Sequence, residues 1–142
     1  MVHALHEAHR VLKIGGRLID LEPADRDRKV LARSGGVWHV IGKIFVDDPD
    51  LRSAGRALAQ VVEQGIYRKV SSRAFRIRRY FRTRRDWREY LDGLTVSKPE
   101  PGLVQKIDAT FKSRPDMRIA LEFDLILRVL KKNEQPRPRG QS

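Results

Sequence analysis

Three histidines open the chain at a spacing of three, His3, His6 and His9, and His6-Glu7-Ala8-His9 comes close to an HExxH pattern. That zinc motif needs its histidines four apart on one helix face, with the glutamate beside the first acting as general base. At three apart they share only a broad polar face, so no metal site is expected; His39 stands alone. The acids Asp47, Asp48 and Asp50 resemble a paired-carboxylate site. They surround Pro49, however, and the start of a helix explains them better than acid–base chemistry does. None of the serines, Ser71 and Ser72 included, lies in a G-x-S-x-G elbow. Cysteine is absent, which removes disulfides, thiolate zinc sites and cysteine nucleophiles. No hydrolytic chemistry is supported, and no catalytic residue is assigned.

Charge is the strongest remaining signal. Residues 67–88 hold ten Lys or Arg and a single acid, Asp86, within a chain of 142 residues and net charge +12. Tyr67, Phe75, Tyr80, Phe81 and Trp87 are interleaved with these cations. Guanidinium groups for phosphate and rings for unpaired bases are what a nucleic-acid surface needs. Arg76, Arg78, Arg79, Arg82, Arg84 and Arg85 are the candidate phosphate contacts. A structural alternative exists: paired antiparallel with residues 117–130, this segment would set Glu122 and Asp124 opposite some of its arginines.

The elements that must position these residues are legible from periodicity. At 142 residues the chain fits one compact domain, read as 1–132, with a basic, Pro-containing tail over 133–142 expected to be disordered. Hydrophobic residues at 40% suffice for a core, and no apolar run approaches the roughly 18–20 residues of a membrane span. A cytoplasmic location and no membrane partner are expected. Ala4, Leu5, Ala8, Val11 and Leu12 give a helical face that ends at Gly15-Gly16, and Leu18 to Leu21 follow as a short buried strand. Ser34-Gly35-Gly36 lies between two strands of a hairpin, and Asp48-Pro49-Asp50 starts a helix that Gly65 ends. A strand over about 66–82 leads to Thr83-Arg84-Arg85-Asp86, a variant capping box, and a short helix carrying Trp87, Tyr90 and Leu91. A linker punctuated by Pro99 and Pro101 precedes a helix with Leu103, Val104, Ile107 and Phe111 on one face. Ile119, Leu121, Phe123, Leu125, Leu127 and Val129 alternate with polar residues, a long half-buried strand for which a bend or bulge is expected.

Glu7-Ala8-His9-Arg10-Val11-Leu12-Lys13-Ile14-Gly15-Gly16-Arg17-Leu18 resembles the late "RVLKPGG" motif of class I S-adenosylmethionine-dependent methyltransferases, with Ile14 in the place of the usual proline. The resemblance implies an α/β, Rossmann-like sheet. Its fifth strand, following helix, sixth strand and antiparallel seventh strand would fall at residues 17–22, 49–64, 66–82 and 117–130. Only the second half of that fold is covered, and the hairpin and flanking helices are additions to it. The glycine loop and the acid that hold the methyl donor belong to the first half. Glu22 follows a strand without such a loop and reads as a solvated loop acid, so no cofactor-binding residue is assigned. S-adenosylmethionine is expected only if another chain supplies the missing half. The outer edge of residues 17–22 would then be unpaired and apolar, to be covered by the hairpin, by a second copy or by a complementary chain. The alternative reading is a small basic protein that binds nucleic acid through residues 67–88.

Overall fold

The computed structural model describes residues 1–134; of the tail expected over 133–142, Asn133 and Glu134 are described and the rest lies outside the described residues. The chain is α/β, with four helices and six antiparallel strands among these residues. It divides into two compact units. Among the described residues, the first comprises 1–23, 49–75 and 125–134, and the second comprises 24–48 and 76–124.

In the first unit, α1 (Val2–Val11) leads to β1 (Arg17–Pro23), and α2 (Pro49–Glu63) leads into β4 (Tyr67–Phe81), whose residues up to 75 belong here. The last part of β6 (Arg118–Lys132) completes it. The turns use glycine where L-residues are disfavoured, with φ of +74° at both Gly15 and Gly65. β1 pairs with β6 in unbroken register from Arg17↔Lys131 to Pro23↔Leu125. β4 also pairs β6, and the Asn133 N–H donates to the Ile66 carbonyl at 3.2 Å where that pairing begins. An edge takes one partner, so β6 runs between β1 and β4. Leu5, Ala57, Leu58, Val61, Tyr67 and Leu130 form the core, with the Tyr67 hydroxyl donating to the Leu5 carbonyl at 2.8 Å. Lys132 closes the C-terminus of α1. Its Nζ donates to the His9 and Leu12 carbonyls at 2.6 and 2.7 Å, where helical geometry leaves acceptors without N–H partners.

The second unit contains a hairpin, β2 (Arg28–Ser34) and β3 (Val37–Val46), turned at Gly35 and Gly36 with φ of +58° and +78°. α3 (Arg84–Asp92), β5 (Ser97–Pro99) and α4 (Leu103–Ser113) follow. The Thr83 hydroxyl accepts the Asp86 N–H at 3.1 Å, so the cap that starts α3 forms as the sequence suggests. β5 is a strand within the expected linker; it pairs with β3 through Ile44↔Pro99 to Val46↔Ser97. Residues 118–122 of β6 pair with β2. The bulge expected in β6 is absent from its pairings with β1 and β2; the register shifts instead between Val30 and Leu31 of the hairpin. Two features of the hairpin explain that position. β3 must skip one residue at Ile41, and Gly42 lies so close to Leu103 that a Cβ there would sit 2.7 Å from its Cδ1. The core gathers Val30, Ile44, Phe81, Trp87, Ile107, Ile119 and Leu121, with α3 and α4 covering the odd-numbered face of β6.

Candidate functional site

The six candidate arginines all belong to the second unit, and most are already engaged. Glu122 is 8% exposed on β6 and accepts from Arg78 Nε at 2.8 Å; Arg76 lies 3.8 Å from Glu122 and 3.5 Å from Asp124. These are the pairings that the antiparallel alternative anticipates. Arg84 donates to Asp108 at 3.0 Å, joined there by Arg88 at 2.7 Å. Burial works to raise the Asp108 pKa, but the two guanidinium donors more than offset it and hold the carboxyl below its ordinary value. Arg85 pairs with Glu89 at 2.9 Å within one turn of α3. Arg79 instead sits over the rings of Phe81 and Tyr90, 5.2 Å from each centroid. Arg82 is exposed and pairs with no carboxylate among the described residues.

What these arginines leave open is an aromatic corner rather than a continuous phosphate track. Tyr80 is 60% exposed and packs 5.6 Å from Trp38, over which Arg78 lies at 5.9 Å. Trp38 was not singled out in the sequence because hairpin position 38 carries no charge pattern; it meets Tyr80 only in the folded sheet, where β3 and β4 are not paired neighbours. Arg79, Tyr80, Asp86, Glu89, Tyr90 and Leu94 line an open cavity of about 520 Å³, whose cation-attracting rings already hold the Arg79 guanidinium.

The histidines do not converge. His3 and His6 are exposed, whereas His9 packs edge-on against Tyr67 at 5.5 Å, and no group of three metal-ligating side chains occurs among the described residues. Burial, with the charge of Lys132 beside it, pushes the His9 imidazole below its ordinary pKa.

Glu22 departs from its expected place. It lies within β1 rather than in a loop, and both it and Asp20 accept from Arg128 of β6, Asp20 at 2.9 Å. All three side chains are about one-fifth exposed or less. Burial works against the Arg128 charge, but the bonds to Glu22 and Asp20 outweigh it and raise the Arg128 pKa. Glu22 therefore neutralises a neighbour, and nothing places it at a ribose.

The strand expected to be buried, 17–22, is half bare. Ile19 is 68% exposed and Leu21 58%, and the second edge of β1 pairs with no strand among the described residues. The hairpin, one of the expected covers, pairs with residues 118–122 of β6 and does not pair with β1. β4 also has an open edge, but Arg68, Lys69 and Arg73 stand along it, the usual guard against unwanted strand addition. No family model, curated protein or solved structure matches this chain.

Proposed function

We propose that the chain is a methyltransferase-like C-terminal module that completes its sheet with another chain and does not hold the methyl donor by itself. The observation that carries this reading is the strand order of the first unit. β1, then α2, then β4, with β6 antiparallel between β1 and β4, is the order that the Arg10-Val11-Leu12-Lys13-Ile14-Gly15-Gly16 resemblance implies for a fifth, sixth and seventh strand. Among the described residues no strand passes through a loop of two or more glycines into a helix; β5 enters α4 with Gly102 alone. The backbone approach that a methyl donor needs is supported by nothing in either unit.

The open edge of β1 is where a second copy or a complementary chain would add its strand, since unpaired N–H and C=O groups next to exposed Ile19 and Leu21 favour β-addition. Sedimentation velocity at micromolar concentration tests this. The purified chain is expected to sediment as a species heavier than its 16.5 kDa monomer. A stable monomer removes the homo-oligomeric form.

The corner formed by Trp38, Tyr80 and Arg78 favours a second reading, a basic protein that stacks unpaired bases. The ion pairs set its expected strength. Six free arginines would give a slope of log K against log salt of about −5 on duplex DNA, whereas Arg79 and Arg82 alone give about −2. Fluorescence anisotropy between 50 and 200 mM salt is expected to return the shallower slope, and the double substitution Arg79→Ala, Arg82→Ala to flatten it. A slope unchanged by that substitution counts against this reading.

A further inference from the structure

The sheet of the first unit has two faces of different character. Opposed residues of an antiparallel pair share a face, so Leu18 with Leu130 and Asp20 with Arg128 lie on one side, and Ile19 with Val129 and Leu21 with Leu127 on the other. The first side is covered: Leu130 is 1% exposed and packs with Leu5, Leu58 and Val61 of α1 and α2. Among the described residues of the first unit, no helix covers the second. There Ile19 and Leu21 are mostly exposed, and Leu127 and Val129 are half-buried only because they sit in the middle strand. On β4, Tyr67 is in the helix-side core, so alternation sets Arg68 and Val70, the latter 42% exposed, on the bare side.

The charges are also sorted. Both acids of β1, Asp20 and Glu22, point to the helix side and are held by Arg128. The charged residues beside the bare apolar patch are all cations: Arg17 and Lys131, opposite each other in register, and Arg68. A second copy docking face to face would oppose cation to cation, which is unfavourable. The width is that of one helix. Three strands about 4.8 Å apart span about 10 Å, and a helix with its side chains is about 10–12 Å across. A membrane surface fits less well. Ile19, Leu21, Leu127 and Val129 include no Trp or Phe, and the middle two are recessed, whereas interfacial anchors project such groups into the lipid.

We infer that this bare face is the docking site for an amphipathic helix of another protein, one whose apolar stripe is flanked by Asp and Glu. Ile19, Leu21, Leu127 and Val129 receive the stripe, and Arg17, Arg68 and Lys131 meet its acids. The inference stands on burial and charge and holds whether or not the methyltransferase-like reading does.

The test uses the full chain and a fluorescein-labelled 18-residue helical peptide with leucines at i, i+3, i+4 and i+7 and glutamates beside them. Micromolar binding is expected, with amide shifts centred on Ile19, Leu21 and Val129. The neutral double substitution Ile19→Ser, Leu21→Ser is expected to weaken binding at least tenfold. Both residues are exposed, so circular dichroism is expected to show the variant folded; should it not, the single Leu21→Ser variant replaces it. Arg79→Ala with Arg82→Ala, which removes two cations from the other unit, is expected to change affinity less than threefold. A peptide with lysine for glutamate is expected not to bind. The inference is overturned if the acidic peptide fails to bind, if the serine variant binds as well as the parent, or if vesicles containing 30% phosphatidylserine bind where the peptide does not. A failure here leaves the strand order of the first unit, and the reading built on it, untouched.

Discussion

Replacing Trp87 with alanine is expected to cost the second unit about 3–5 kcal/mol, the range for emptying a fully buried aromatic site. Trp87 is 0% exposed. Its ring lies 5.3 Å from Phe81 and 5.8 Å from Tyr90, and the three rings join α3 to β4. Alanine removes most of that contact, and the neighbours are fixed on different elements, so the site can collapse only in part. A domain is stable by about 5–15 kcal/mol, so a loss of this size is a large fraction of the whole. Chemical denaturation followed by tryptophan fluorescence of the remaining Trp38 reads it directly. A second substitution sharpens the test. Trp87 Nε1 is buried without a hydrogen-bond partner among the described residues. Trp87→Phe keeps much of the ring and removes the orphan donor, so its cost is expected to be clearly smaller, near 1 kcal/mol. Equal losses for the two substitutions would mean that ring volume does not anchor α3.

Arg128→Met is expected to destabilise the first unit by about 2–4 kcal/mol, the range for breaking a buried ion pair reduced for partial exposure. The reason is what it leaves behind. Asp20 and Glu22 share the same guanidinium on the helix side of β1, and without it two carboxylates face each other across one residue position. The asymmetry of buried charge supplies the control. Adding Asp20→Asn and Glu22→Gln to Arg128→Met removes the uncompensated charges, and thermal unfolding is expected to recover most of the lost stability. A triple variant as unstable as the single one would show that Arg128 acts by packing its stem rather than by pairing.

The sequence announced the elements better than the partners of their side chains. Glycine pairs at 15–16 and 35–36, the Asp48-Pro49-Asp50 start and the Thr83 cap act within a few residues, and each forms where its local chemistry requires. The alternating run of β6 gave its length for the same reason. β5 was hidden because three residues ending at a proline carry no period; it exists only because β3 offers an edge. The register shift in the hairpin was not legible, because it follows from a non-local approach between Gly42 and Leu103. The candidate arginines illustrate the same limit. Their density was visible, but whether a guanidinium is free depends on acids elsewhere in the chain, and Glu122, Asp124, Asp108 and Glu89 take up four of the six. Asp20, Glu22 and Arg128 could not be joined from spacing, because about a hundred residues separate them and only the β1–β6 register brings them together. Ile19 and Leu21 read as core from composition; their exposure follows from having a helix layer on one side of the sheet only.

The proposed module is expected not to hold the methyl donor by itself, without a second chain to supply the missing half of the sheet. Isothermal titration of S-adenosylmethionine into the purified chain at micromolar concentration tests it most directly. No saturable heat is expected. A one-to-one isotherm with micromolar affinity would contradict the claim, because it would require a nucleoside site built from these residues alone.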